Sequence, residues 1–188
     1  MRFGVLGTGV VGQTLGGKLV SLGHEVRMGA RQAGNEVAVA WAEANGDPAS
    51  AGSFAAAAGY GETVINATAG AASLEALGAA GASNLAGKVL IDVANPLDFS
   101  AGLPPALTVG NTDSLGEQIQ RAFPDARVVK ALNTMAADLM VEPGLVPGSH
   151  TVFIAGEDAD AKSEVAELLQ AFGWPAEDVL DLGSQSVT

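Results

Sequence analysis

A glycine turn near the start of the chain carries the clearest chemical signal in the sequence. Gly7, Gly9 and Gly12 follow the short apolar run 2–6 with G-x-G-x-x-G spacing, and a helical apolar pattern begins after them. In such a turn the first glycine permits a tight bend, the second lets the backbone approach a pyrophosphate, and the third lets the helix pack against the strand. Free N–H groups and the helix dipole attract the phosphates. The stretch predicts a dinucleotide site, and the alternative is an ordinary glycine-rich turn. The predicted site residues are Gly7, Thr8, Gly9, Val10, Val11 and Gly12.

The end of the second predicted strand, 25–29, indicates which dinucleotide is bound. A site that prefers NAD places Asp or Glu about 20 residues past the turn, where the carboxylate accepts hydrogen bonds from the ribose 2′-OH. This chain has Ala30, Arg31 and Gln32 there instead. A guanidinium can bind a 2′-phosphate through two charge-assisted hydrogen bonds, worth about 1.5–3 kcal/mol. The sequence therefore predicts NADP, with Thr8 and Arg31 on the adenosine side, unless Arg31 is only a solvated loop cation.

Strand and helix patterns alternate along the rest of the chain and position the other candidates. This order predicts an α/β fold: a doubly wound parallel sheet of the Rossmann type with three α/β/α layers. A capping-box signature, Ser114 followed by Glu117, marks one helix start, and the stretch 98–112 is a long connection of the kind that serves a site or a subunit contact. The predicted strands are 63–68, 88–93, 127–132, 151–155 and 179–182, and the predicted helices are 35–45, 54–58, 71–82, 115–123 and 160–172.

Ligands of such a sheet lie beyond the carboxyl ends of its strands, where several polar and small residues follow the predicted strands. Thr68 and Ala69 would leave space beside the cofactor, or would form an ordinary strand-to-helix turn. Asn95 could bond a ribose or the nicotinamide carboxamide, and Asn133 ends another strand at the same edge. Asp92 lies inside its strand, which indicates a structural carboxylate.

Length and composition limit the classes of function. We expect the 188 residues to form one domain, and a net charge of −12 argues against nucleic acid or an anionic membrane as partner. The chain has no cysteine and only two histidines, which excludes thiolate metal sites and cysteine nucleophiles and makes a metal site unexpected. No segment reads as a transmembrane helix, and the glycine turn argues against a signal peptide, so we expect a cytoplasmic protein.

Three segments give the chain a resemblance to the NADPH-dependent reductases of the deazaflavin coenzyme F420 and, more loosely, to the reductase domains of the STEAP metalloreductases. They are Gly7–Gly12, Met28–Arg31 and Lys130–Met135. In the family the loop matching the last segment lies against the flavin-like ring. The resemblance therefore implies that Asn133, Thr134 and Met135 hold a second cofactor, either F420 or FMN/FAD.

Two departures from the family pattern leave the electron acceptor open. The F420 reductases are expected to carry a histidine where Asn133 stands. Family members also continue past the last strand with an aromatic-rich helix that helps to build the acceptor pocket and the dimer contact, whereas this chain passes from Gly183 to Thr188. We therefore expect a single domain over residues 1–188 without that helix, and a homodimer remains one possible assembly.

Three functions fit these observations. The first is an oxidoreductase that passes a hydride between NADP(H) and a small-molecule redox partner, namely a deazaflavin or flavin-like acceptor. This reaction depends on the orientation of two rings and needs no side-chain acid or base. The sequence agrees, since it shows no nucleophile–base pair and no catalytic acid. The second is an NADP(H)-binding redox sensor without turnover of its own. The third is a reductase of a small imine or carbonyl, since pyrroline-carboxylate reductases begin similarly but add a helical dimerisation domain.

Overall fold

Alternating strands and helices form one large sheet with helices on both faces in the computed structural model, which describes residues 1–187. The predicted domain end at Thr188 lies outside this range. The strands are β1 (Arg2–Leu6), β2 (Glu25–Ala30), β3 (Ala49–Ser53), β4 (Thr63–Asn66), β5 (Val89–Asp92), β6 (Leu97–Asp98), β7 (Ala106–Leu107), β8 (Arg127–Ala131), β9 (Val152–Gly156) and β10 (Val179–Asp181). The α-helices are α1 (Val10–Ser21), α2 (Glu36–Asn45), α3 (Phe54–Tyr60), α4 (Ser73–Ala80), α5 (Ala82–Leu85), α6 (Leu115–Ala122), α7 (Ala137–Val141) and α8 (Ala159–Phe172).

The strand order β10-β9-β8-β5-β4-β1-β2-β3 confirms the predicted doubly wound sheet. The chain winds outward from β1 to β3, returns to β4 on the other side of β1, and winds outward again. The reversal of direction falls between β1 and β4, so this is the switch point at which such sheets bind ligands. Residues 1–187 also contain a separate two-stranded hairpin, β6–β7, within the predicted long connection.

One edge of the sheet departs from the all-parallel pattern. β9 pairs antiparallel with β8, and β10 pairs parallel with β9, so the last two strands reverse the direction of the others. The connection from β8 to β9 contains only the five-residue helix α7 and a 3₁₀ turn. A parallel neighbour requires a crossover that returns the chain to the opposite edge, usually through a full helix. Because the connection from β8 to β9 lacks a full crossover helix, β9 starts at the sheet edge where β8 ends and runs antiparallel to it.

The central strands are buried on both faces, which gives the predicted three layers. Across four neighbouring strands, residues in register point to the same layer. The cluster shared with α1 and α8 includes Val5, Ile65, Ile91, Val129, Leu15 and Val165. The cluster shared with α3, α4 and α6 includes Val64, Leu90, Val128, Ala57, Leu77 and Ile119. Burial of these apolar side chains is the main driving force that fixes the sheet edge where the site lies.

The cap of α6 and the strand β3 show what the local sequence does and does not predict. Ser114 caps α6, since its Oγ accepts a hydrogen bond from the N–H of Glu117 at 3.1 Å, as the capping-box signature indicates. The sequence of strand β3, ASAGS, has no β-branched or aromatic residue and therefore does not predict a strand. It becomes a strand through its pairing with β2.

Within residues 1–187, no helix combines the length and apolar character needed to cross a membrane.

Asp158 caps α8 and ties it to β8. Its carboxylate accepts hydrogen bonds from Arg127 Nε at 3.0 Å and Arg127 Nη2 at 3.1 Å, and from the N–H of Ala161 at 2.8 Å. The hydrogen bond from Arg127 and the one from the N–H of Ala161 lower the pKa of Asp158 from 3.8 to about 2. Because the pKa is lowered on folding, this carboxylate stabilises the fold above the unfolded-state pKa, and the contribution disappears as the pH falls through about 2.

We therefore expect Asp158→Asn, which keeps a capping oxygen but removes the charge, to lower the urea midpoint at neutral pH. The difference from the parent protein should shrink as the pH falls toward 2. Asp160→Asn in the same helical turn is the matched control, because Asp160 forms no salt bridge within the described residues. A difference for Asp158→Asn that stays constant with pH would contradict the assignment.

Candidate functional site at the carboxyl edge of the sheet

The glycine turn joins β1 to α1 and leaves a space that a phosphate can occupy. Gly7 has a φ of 116°, and a β carbon there would lie 2.4 Å from the carbonyl oxygen of Ala67. A β carbon on Gly12 would lie 2.2 Å from the carbonyl oxygen of Gly7. At Gly9, however, a β carbon would meet nothing within 4 Å. Two of the glycines are thus required by the fold, whereas Gly9 borders open space.

The start of α1 presents free N–H groups to that space. Gly9 is the N-cap and provides no side-chain cap, and the first turn carries no acidic residue. The first N–H groups of a helix have no partner within the helix, and they carry the positive end of its dipole. The side chain of Gln13 donates to the carbonyl oxygen of Thr8 at 2.8 Å, which holds the turn against the helix. This arrangement suits an anion such as a diphosphate.

A first cleft of about 340 Å³ extends from the glycine turn to the end of β2. Arg31 is exposed at its wall and forms no salt bridge within residues 1–187, so its guanidinium is available to a ligand. Gln32 and Val10, which the sequence placed in the site, do not line this cleft. The predicted residues that do line it are Gly7, Thr8, Gly9, Ala30, Arg31, Thr68 and Ala69.

The same cleft contains side chains that the sequence analysis missed. Asn35, the N-cap of α2, lines it, as do Phe54 at the start of α3 and Glu75 on α4. The sequence does contain a signal for Asn35, because an asparagine directly before a helical pattern, in the loop after Arg31, is typical of a helix N-cap near the strand ends. No sequence signal indicates Glu75, because its position in the cleft depends on how α4 packs beside the switch point. The cleft therefore has one carboxylate on the helix opposite the predicted phosphate-binding arginine.

A second cleft of about 330 Å³ lies beyond the ends of β4, β5 and β8. It brings together the predicted residues Val11, Thr68, Ala69, Asn95, Asn133 and Met135. Thr134 is exposed and lies outside the residues lining the cleft. The apolar wall includes Met140 on α7 and Phe99 in the long connection, so part of that connection does reach the site. The two clefts share the lining residues Ala67, Thr68 and Ala69, so they adjoin each other along the sheet edge, and the two together are called the groove.

Two asparagines form a bridge at the far end of this groove. Asn95 Nδ2 donates to the carbonyl oxygen of Asn133 at 2.7 Å, and Asn133 Nδ2 donates to Asn95 Oδ1 at 3.2 Å. Leu132, directly before Asn133, has a φ of 64°. This left-handed conformation is costly for a leucine, by roughly 1–2 kcal/mol, and it turns the chain sharply as it leaves β8. The backbone thereby brings Asn133 to Asn95.

Another cleft, of about 220 Å³, lies at the opposite edge of the sheet. It is lined by residues at the starts of strands, among them Phe3 and Val89, and by α8. His24 also lines it, and burial lowers the pKa of this histidine below 6.5. None of the predicted site residues lies there. The chemistry predicted from the sequence therefore belongs to the carboxyl edge alone.

Comparison with known proteins assigns the chain to a family. A family profile described as NADP oxidoreductase, coenzyme F420-dependent, matches residues 2–96, which is half of the chain and includes the glycine turn, Arg31 and Asn95. The chain belongs to this family. The prediction of an NADP-dependent oxidoreductase of the Rossmann class is thus confirmed at the level of the family, and the resemblance stated from three short segments is correct.

Relatives of this NADP oxidoreductase family extend the match to nearly the whole chain. A crystal structure assigned as an F420-dependent NADP-reductase of Arthrobacter sp. FB24 is 53% identical, with a TM-score of 0.91, and the match covers 98% of this chain and 85% of that one. Metalloreductase STEAP3 of Rattus norvegicus is 34% identical over 103 residues, which are 55% of this chain and 19% of that protein. The match therefore spans about a fifth of the length of that relative.

A more distant structure shares the fold with this family member. A reductive aminase from Aspergillus terreus, in complex with NADPH and ethyl levulinate, is 19% identical with a TM-score of 0.69. The match covers 98% of this chain and 55% of that chain. At this level of identity the likeness concerns the fold alone.

Proposed function

We propose that this protein transfers a hydride between NADP(H) and a flat deazaflavin or flavin ring, with F420, FMN or FAD as the acceptor. The observation that carries the proposal is that two clefts adjoin each other along the carboxyl edge of the sheet, with Thr68 and Ala69 lining both. Arg31 lies at one end, and Asn133 and Met135 lie at the other. A dinucleotide with an acceptor beyond its nicotinamide requires such an arrangement.

The first cleft fits the phosphates of NADP(H). In our proposal the N–H groups of the glycine turn and of α1 bind the pyrophosphate, because the space beside Gly9 is open and no side-chain cap competes for them. Arg31 binds the 2′-phosphate through charge-assisted hydrogen bonds, and Thr8 contacts the adenosine half. Thr68, Ala69 and Asn95 then face the nicotinamide.

The second cleft favours a ring as acceptor. When bound, NADPH supplies a hydride, which carries two electrons, to the acceptor ring; the ring takes up a proton from water, and NADP⁺ leaves. None of the described residues that line this cleft is ionisable. Hydride transfer between two rings depends on holding them about 3–3.5 Å apart, and it requires no side-chain acid. Reduction of an imine or a carbonyl requires a positioned proton donor, for which the cleft offers only the Thr68 hydroxyl and amides.

Stopped-flow absorbance under anaerobic conditions tests this proposal. The protein is mixed with NADPH and with F420, FMN or FAD in turn, and oxidation of NADPH is followed together with reduction of the acceptor. We expect oxidation of NADPH that depends on at least one of the three ring acceptors. Tight NADPH binding without oxidation by any of them would contradict the proposal and would favour the redox-sensor hypothesis.

Met135 provides a variant that separates the acceptor site from the nucleotide site. Its side chain is half-buried at the acceptor end of the groove. Met135→Ala removes about 1–2 kcal/mol of apolar contact, so we expect the KM for the ring acceptor to rise about 5- to 30-fold while the Kd for NADPH stays unchanged. Thr134→Ala is the control, because Thr134 is exposed next to Met135 and does not line the cleft. If both substitutions changed the KM for the ring acceptor by the same factor, Met135 would not contact the acceptor.

A further inference from the structure

A buried lysine below the acceptor end of the groove has no direct role in the proposed hydride transfer. Lys130 on β8 is 5% exposed. Its Nζ donates to Asp92 Oδ2 at 2.8 Å and, through a short contact, to the carbonyl oxygen of Ala94. Asp92 is fully buried. The pair agrees with the structural interpretation of Asp92, but the bond to Ala94 connects it to the peptide that precedes Asn95.

Hydrogen bonds continue from this ion pair to the middle of the groove. Asp92 Oδ1 accepts from Asn66 Nδ2 at 2.8 Å and from the N–H of Ala94 at 3.3 Å. Asn66 Nδ2 also donates to Ser73 Oγ at 3.0 Å. Asn66 Oδ1 accepts from Thr68 Oγ1 at 2.7 Å. The network thus joins the loop after β4 to the loop after β5, and both loops line the second cleft.

The network reaches the third loop of the cleft through the asparagine bridge. Ala94 is bonded to Lys130 at its carbonyl oxygen and to Asp92 at its N–H, so the backbone on both sides of this residue is fixed. The next residue, Asn95, is in turn bonded to Asn133. Displacement of the Ala94–Asn95 peptide would therefore displace the two amides that border the nicotinamide and acceptor positions.

We propose that Lys130 is a positioning residue for hydride transfer: its Nζ–H bond to the Ala94 carbonyl fixes Asn95 relative to Thr68 and Asn133. This inference rests on the proposed function. Lys130 lines a further cleft of about 240 Å³, which also includes Asn95 and Asn133, but it lines neither half of the groove itself. We therefore place its effect on the groove in its bond to the Ala94 carbonyl. A buried ion pair is a weak source of stability, because apolar residues of similar volume often replace it without loss. The fold alone therefore does not require the ammonium group at this position.

The test uses the double variant Asp92→Asn/Lys130→Met. It removes both charges together, whereas Lys130→Met alone would leave a buried carboxylate without its counter-charge. The amide introduced at position 92 would keep an oxygen for the N–H of Ala94, but the Ala94 carbonyl would lose its Lys130 donor. We expect a urea midpoint near that of the parent protein, a Kd for NADPH within about twofold, and a single-turnover hydride-transfer rate about 10- to 100-fold lower, since small misplacements are costly in such reactions.

Asp92→Asn alone is the control for the hydrogen bond to Ala94: it leaves the buried ammonium without its counter-charge, a cost to stability that the urea midpoint measures, but it keeps the lysine donor to Ala94. The proposal requires its single-turnover rate to stay within about threefold of the parent rate. A parent-like rate in the double variant would overturn the role of Lys130. A rate in Asp92→Asn as low as in the double variant would also overturn it, and a low rate in this single variant is measurable even if the double variant does not fold. If the parent protein itself transfers no hydride to F420, FMN or FAD, the proposed function fails instead.

Discussion

Gly9→Ala is expected to weaken NADPH and NADH alike while leaving the thermal stability of the protein unchanged. The backbone at Gly9 has φ −73° and ψ 176°, which alanine adopts without strain, and the added methyl group would meet no protein atom within 4 Å. That empty space is where we place the pyrophosphate. Forcing one extra carbon into a fitted site costs about 1–3 kcal/mol, so both Kd values should rise about 5- to 150-fold.

Gly12→Ala is the counterpart that affects the fold. A β carbon there would lie 2.2 Å from the carbonyl oxygen of Gly7, so the helix must move away from β1. We expect this variant to lose thermal stability, and any loss of NADPH binding to follow from the altered fold. Calorimetric titration and thermal unfolding of both variants separate the two effects. A Gly9→Ala protein that binds NADPH with parent affinity would show that the pyrophosphate does not lie against the turn.

Arg31→Ala is expected to weaken NADPH about 10- to 150-fold and to leave the affinity for NADH nearly unchanged. The guanidinium borders the first cleft and forms no salt bridge in the described part of the chain, so it can give both of its parallel N–H groups to a 2′-phosphate. Loss of such charge-assisted bonds costs about 1.5–3 kcal/mol, and NADH lacks the phosphate that makes them.

Arg121→Ala is a suitable control for general electrostatics, because Arg121 on α6 pairs with Asp113 and does not line the groove. It removes the same charge from a protein whose net charge is already −12. We expect it to change the affinity for both nucleotides only slightly. If Arg31→Ala weakened NADPH and NADH by the same factor, the 2′-phosphate would have to be bound by another group.

The first cleft of the groove could be predicted from the sequence because its geometry is local. A glycine turn between a strand and a helix fixes the N–H groups of Gly9, and the end of the next parallel strand must lie beside it, which brings in Arg31. The same reasoning about strand ends placed Thr68, Asn95 and Asn133 at one edge. These residues do meet there, since the strands that carry them are parallel neighbours.

The remaining features depend on long-range packing and could not be predicted. Glu75 reaches the first cleft only through the position of α4, and Lys130 meets Asp92 only because β5 and β8 are neighbours in register. The sequence of β8 gives no sign that Leu132 leaves it in a left-handed conformation. The reversed strands β9 and β10 follow from a connection whose helix is too short for a crossover, and the periodicity of the sequence did not reveal this.

Isothermal titration calorimetry of the parent protein with NADPH and with NADH tests most directly whether the groove is an NADP site. The account predicts saturable heat with NADPH and an affinity for NADPH about tenfold or more above that for NADH, because only NADPH presents a 2′-phosphate to Arg31. The absence of binding heat with both nucleotides at several temperatures, or tighter binding of NADH, would contradict it.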